Sequence, residues 1–307
     1  MEQKDEWGMF QELTEGGRNG IMKKGDKAAI VCCSNALPHS FAGRLKELEC
    51  FLEEMGLRPV RSNCIFEKKS VFDISVKERA QSLMQCYEDE DIRAIFDLSG
   101  GDIANEILPL LDYGKIAGSD KLFWGYSDLT TVINAIYAKT GRPSVLYQIR
   151  HLIGTGMERR REDFYHTVLE GRGDLFSVPY EWVRKGPVQG VVVGGNIRCL
   201  LKLAGTEYWP DMHGKILLLE SFHGKAAQIR AYFSQLNQMG VFGQVNGILL
   251  GTFTELEETG DVSFVPELAR RYTGETAPIL KTSRIGHGIQ SKGIVIGREF
   301  QKANFYN

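Results

Sequence analysis

The sequence predicts an α/β protein in two parts, a doubly wound parallel sheet followed by a smaller α+β or barrel-like C-terminal domain. Three observations carry that expectation. Residues 28–33 form a continuous apolar run, the pattern of a strand buried on both faces, and 94–98 reads as a further strand. Such runs alternate with stretches of helical spacing: in residues 44–55, Leu45, Leu48, Phe51 and Leu52 share one stripe. Beyond residue 185 the alternation gives way to short strands with glycines nearby, at 188–195, 216–219, 247–251 and 293–296. Only one clear helix, about 225–238, stands among them.

The elements follow in order. The first twenty residues are polar and read as a poorly ordered extension, with Met22 as an alternative start. After the strand at 28–33 and the helix at 44–55, Gly56 supplies a stop. A strand at 58–61, a helix at 76–88 and the strand at 94–98 come next. Ser99-Gly100-Gly101-Asp102 is a turn, followed by a helix at 104–111, a strand at 121–125 and a helix at 129–139. Strands and helices joined by short turns imply a parallel sheet with helices on both faces. The expected divisions are 22–165 for the first domain, 166–184 for a connection and 185–307 for the second domain. Glu158-Arg159-Arg160-Arg161-Glu162-Asp163 reads as an exposed helical face because acids flank the basic triplet. Phosphate binding is the competing reading.

Composition narrows the function. The chain has 307 residues, 43% hydrophobic and 25% charged, the balance of a globular protein with a substantial core. A formal net charge of -2 argues against a broad nucleic-acid surface. No apolar run reaches transmembrane length and no signal region follows the start, so the expected location is cytoplasmic, without membrane contact. The six cysteines show no CxxC spacing and read as free thiols rather than a zinc site. No metal constellation and no phosphate loop appear, so neither metal nor cofactor is expected.

The chemistry-bearing residues lie at strand ends. Gly125-Tyr126-Ser127-Asp128 sits where a buried strand meets a helix, the setting of a nucleophile elbow. The backbone N–H of Asp128 and a helix N-terminus would both favour a developing oxyanion. An ordinary helix cap explains the tetrapeptide equally well. Among six histidines, His287 stands between Gly286 and Gly288, although a plain loop histidine has the same look. Glu220 ends the apolar run 216–219, at the edge where α/β folds build sites, or is simply a charge leaving the core. Gly101, in the turn after the strand at 94–98, offers a second oxyanion N–H, or is only a turn.

Together these segments resemble the LD-carboxypeptidase family, which includes the microcin C immunity carboxypeptidases. The resemblance runs in order from about Gly25 to Ile296. It is carried by Lys24-Gly25-Asp26, by Ser99-Gly100-Gly101 and by 108–113. It continues through 123–130, Gly194-Gly195-Asn196 with Gly205-Thr206, Gly214 to Glu220, and Gly286-His287-Gly288. The resemblance implies a Rossmann-like first domain and a triad of Ser127, Glu220 and His287 lying between domains. It also implies an oxyanion hole from the N–H groups of Gly101 and Asp128, and a homodimer. Two departures stand out: Tyr147-Gln148 where the family often has His/Tyr-Gly-Pro, and Glu220-Ser221 where it often has Glu-Asp. The implied activity is that of a serine carboxypeptidase releasing D-alanine from a murein tetrapeptide during cell-wall recycling. An immunity peptidase cleaving peptidyl or aminoacyl nucleotide analogues is the alternative. Such relatives tend to carry a tryptophan on a longer loop, and Trp182 lies in roughly that region. A binding module that holds a small peptide without cleaving it is the reading from another class.

Overall fold

The computed structural model describes residues 20–68, 74–275 and 277–302. Most of the polar extension expected at the start lies outside these residues. Met22 lies inside them and is buried, and its N–H donates to Val168 O.

Among the described residues, twelve strands form two six-stranded sheets. The first contains β1 (Lys27–Val31), β2 (Arg58–Arg61), β3 (Ile92–Asp97), β4 (Leu122–Gly125) and β5 (Ser144–Leu146). The second contains β6 (Glu181–Arg184), β7 (Val188–Asn196), β8 (Ile216–Ser221), β9 (Gly247–Phe253) and β10 (Ile279–Lys281). Two strands close the chain, β11 (Ile294–Ile296) and β12 (Glu299–Lys302). The order in the first sheet is β11-β5-β4-β3-β1-β2, parallel except for β11. In the second it is β12-β7-β8-β9-β10-β6, with β7 to β10 parallel and antiparallel edges. The second sheet is open, so of the two expected forms it is the sheet with helices rather than a barrel.

Two strands cross the expected divisions. β6, within 166–184, edges the second sheet, while β11, within 185–307, pairs with β5 and edges the first. Each covers a strand edge that would otherwise expose unpaired backbone. The segment at 104–110 is a 3-10 helix rather than an α-helix. Pro109 inside it has no N–H for the helical ladder. A second long-enough helix in this half, Phe264–Tyr272, joins the one expected near 225–238, with Val265, Leu268 and Ala269 buried on one stripe.

The helix Thr130–Thr140 lies between the sheets, and Thr130 to Ile136 are all buried. Asn134 clamps it to β7: its Nδ2 donates to Gly194 O at 2.9 Å and its Oδ1 accepts from Gly194 N–H at 2.8 Å. A Cβ on Gly195 would fall 2.8 Å from Thr130 Oγ1, so this block needs glycine to let helix and strand approach. One apolar core therefore runs from Phe123 and Leu129 through Val192 to Leu218 and Leu249. Cys32 and Cys33 fall in cores on opposite faces of the first sheet, and all six cysteines are free thiols. No helix among the described residues is long and apolar enough to cross a membrane.

Candidate active site

The site forms where the C-terminal ends of β4 and β8 meet the loop after β10, the edge at which parallel sheets present ligands. All four residues of β4 are buried, and Tyr126 continues the strand with φ -153°. Ser127 then turns to φ +55° and opens a short 3-10 helix ahead of Thr130–Thr140. Among the described residues it is the one non-glycine with positive φ. A serine held there stores about 1–2 kcal/mol of backbone strain. Gly125 makes the turn possible, since a Cβ would lie 2.7 Å from Leu129 Cβ and 2.9 Å from the Phe123 ring.

Glu220 lies in β8, fully buried. Room for it comes from Gly251 on β9, where a Cβ would stand 3.0 Å from Glu220 Cβ and 2.4 Å from Ile285 O. Its Oε2 lies 2.8 Å from His287 Nδ1. A contact that short with a carboxylate places the ring proton on Nδ1 and leaves the Nε2 lone pair as the basic site. Gly286, before it, has φ +145°, and a Cβ would fall 1.7 Å from Thr252 Oγ1. Only glycine fits there, and this anchors the His287 loop against β9.

Two residues that the sequence did not single out grip the imidazole. Tyr126 meets it edge-on with centroids 4.6 Å apart, and Phe222 stacks at 4.7 Å and 21°. The Tyr126 hydroxyl is 3.2 Å from His287 Nδ1 and 3.4 Å from Glu220 Oε2. Burial, then the Glu220 charge, pushes this phenol well above its ordinary pKa, so it stays a proton donor. With Nδ1 carrying a proton, the hydroxyl donates to the carboxylate. Phe222 is 42% exposed and roofs the histidine from solvent.

The structure thus brings Glu220, His287 and the residue before Ser127 into contact. Ser127 itself is half-buried, and among the described residues its hydroxyl makes no hydrogen bond to His287 or Glu220.

The two expected oxyanion residues belong to one polar cluster. Asp128 is fully buried; its Oδ2 accepts from Ser34 Oγ at 2.6 Å and from Ala104 N–H at 2.8 Å, and Lys202 binds its Oδ1. Gly101 has φ +126°, and Asn35 fills the space where its Cβ would stand. Arg198 pairs with Asp102 and reaches Gly101 O at 3.3 Å, while Lys202 donates to Asp102 O at 2.8 Å. Beneath the turn, buried Asp97 accepts from Cys33 N–H at 2.8 Å and Ser99 N–H at 2.6 Å. Lys202 and Arg198 come from the second sheet's side, so the cluster ties the two layers together at the site. No local pattern marks either residue.

Comparison with known proteins agrees with this frame. The family model described as the LD-carboxypeptidase N-terminal domain matches residues 28–147, and the C-terminal domain model matches 189–301. The chain is 25% identical over 238 residues to the murein tetrapeptide carboxypeptidase of Pseudomonas aeruginosa, covering 73% of this chain and 76% of the relative. It is 29% identical over 233 residues to the microcin C7 self-immunity protein MccF of Escherichia coli, covering 66% and 68%. A solved structure of MccF in complex with glutamyl sulfamoyl guanosine superposes with a TM-score of 0.79 at 22% identity, over 92% of this chain and 94% of that one. Two domain models spanning most of the sequence, on a fold shared with MccF, establish that this chain belongs to the LD-carboxypeptidase family of peptidases.

Proposed function

We propose that the protein is a serine-type carboxypeptidase that hydrolyses the L,D-amide of a murein tetrapeptide and releases D-alanine. The observation that carries this reading is the buried Glu220–His287 hydrogen bond beside a serine at φ +55°. Ser127 Oγ attacks the scissile carbonyl as His287 Nε2 takes its proton. The oxyanion forms against the N–H groups of Asp128 and Gly101. His287 then gives the proton to the departing amine, and the C–N bond breaks to leave an ester on Ser127. A water, deprotonated by His287, cleaves that ester and returns the proton to Ser127. Glu220 holds the ring by Nδ1 throughout and stabilises the imidazolium.

Trp182 favours this substrate over a nucleotide analogue. It sits in edge strand β6, packed against the apolar core, not on a long loop free to stack on a base. Incubation with murein tetrapeptide, read by mass spectrometry for free D-alanine, tests the reading. Ser127→Ala should lower kcat by about 10⁴-fold or more. Equal release from both proteins rejects Ser127 as nucleophile; release from neither rejects the murein substrate, and aminoacyl sulfamoyl adenylates become the next substrates to assay.

A further inference from the structure

The nucleophile and its base stand on different halves of the molecule. Ser127 follows β4 in the first sheet, while Glu220 lies in β8 of the second and His287 in the loop after β10. Ser127 makes no hydrogen bond to either partner among the described residues, so its place relative to the base is set by its neighbours. The residue on each side of it sends a buried side chain across to the second half. Asp128 meets Lys202, and Tyr126 meets Glu220 and His287. The first contact ties down the turn, and the second reaches the acid–base pair itself.

Tyr126 carries a hydroxyl where a hydrocarbon would fit. The residue is buried and belongs to the apolar core with Leu129 and Ile285. A phenylalanine would fill that slot without the cost of burying an oxygen. What the oxygen does there follows from Glu220. Among the described residues two donors reach this carboxylate, His287 Nδ1 at 2.8 Å and the Tyr126 hydroxyl at 3.4 Å. They converge on Oε2, and Oε1 is buried with no partner among the described residues. The last torsion of a glutamate is soft. A single donor fixes the distance to one oxygen and leaves that torsion free to swing. A second donor from another direction fixes the plane of the carboxylate, and with it the line along which Nδ1 points. The ring contact adds to this, because Tyr126 meets the imidazole edge-on at 4.6 Å. The phenol contacts are longer than the Glu220–His287 bond, so Tyr126 guides the pair rather than carrying it.

We infer that Tyr126 is a positioning residue: by holding Glu220 and the imidazole from the position next to Ser127, it sets the nucleophile and its base in register across the two sheets. The inference rests on the serine-peptidase reading above and adds to it the means by which that site is aligned. Phe222, the other aromatic on the imidazole, does not do this. It directly follows β8, the strand of Glu220, and so carries no information about where Ser127 stands.

Tyr126→Phe removes one oxygen and keeps the ring. With murein tetrapeptide it should lower kcat about tenfold and leave KM within about twofold, since the loss lies in alignment rather than binding. Labelling of Ser127 by a fluorophosphonate should slow by a similar factor, and that measurement needs no peptide. In the resting protein the His287 Nδ1 proton, assigned by proton NMR with His287→Gln, should exchange with water about tenfold faster. Urea unfolding of the same protein is the folding control. A 3-fluorotyrosine placed at position 126 keeps the hydroxyl and should slow labelling less than Tyr126→Phe does; an equal loss would lay the effect on packing and overturn the inference. Equal labelling and equal proton exchange in Tyr126→Phe and the unsubstituted protein overturn it, as does a loss that lies in KM alone or matches an unfolded fraction. No labelling of the unsubstituted protein overturns it together with the serine reading. Slower labelling and faster exchange in Tyr126→Phe, with no D-alanine released by either protein, uphold the positioning role and reject the murein substrate.

Discussion

Ser127 occupies a conformation that L-residues avoid, and the helix, strand and Gly125 around it leave no alternative path. The strain is local, so removing the side chain at Cβ should release it. Ser127→Gly is expected to be more stable than Ser127→Ala by about 1 kcal/mol, seen as a higher urea midpoint, with both inactive. Equal midpoints would mean that the turn is relaxed. Gly286 makes the opposite case. Ala there must displace Thr252 or move the loop, and His287 moves with it. In the proposed mechanism His287 is the base, so Gly286→Ala should lose about 10²-fold in kcat, because small misplacements of such a group are costly. Unchanged kcat would show that Gly286 does not position His287.

Lys202 and Asp128 join elements that the sequence keeps 74 residues apart. The short helix Ile197–Leu201 ends at Lys202, whose side chain is 19% exposed and crosses to a carboxylate with no exposure. Lys202→Met strands that charge and should cost about 3–5 kcal/mol in urea unfolding. Asp128→Asn in the same chain should recover part of the loss, with a coupling above about 1 kcal/mol. Additive effects would mean that the two do not act as a pair. The elements themselves were largely legible. β2 and the helix Val76–Glu88 lie where spacing placed them, because a buried stripe and the Ser75–Glu78 capping box are local signals. The strands β5 and β10 went unread because three residues hold no period. β6 and β12 escaped because charged edge strands resemble loops.

At the scale of the whole molecule, half-buried His151 resists protonation in the folded chain, chiefly through desolvation and then through the nearby Arg160 charge. His151 stands at about 4 in the folded chain against an ordinary 6.5. Between these values the unfolded chain binds the extra proton, so stability is complete above about pH 6.5 and falls as pH drops toward about 4. The loss should reach about 3 kcal/mol at the lower end. His151→Gln should flatten this part of the stability–pH curve measured by urea unfolding from pH 4 to 7. An unchanged slope would locate the acid sensitivity elsewhere.

Sequence alone determined the α/β class, the order of most elements and the segments that carry Ser127, Glu220 and His287. Those are properties of neighbours along the chain: apolar runs, helical stripes, and glycines beside reactive residues. Tertiary structure alone decided the rest. The Tyr126–His287 contact spans 161 residues, the Lys202–Asp128 pair joins the two sheets, and β11 returns from the far end of the chain to edge the first sheet. Local patterning sets which face of an element is buried; it carries no term for which distant element covers that face, and that choice belongs to the packing of the whole core.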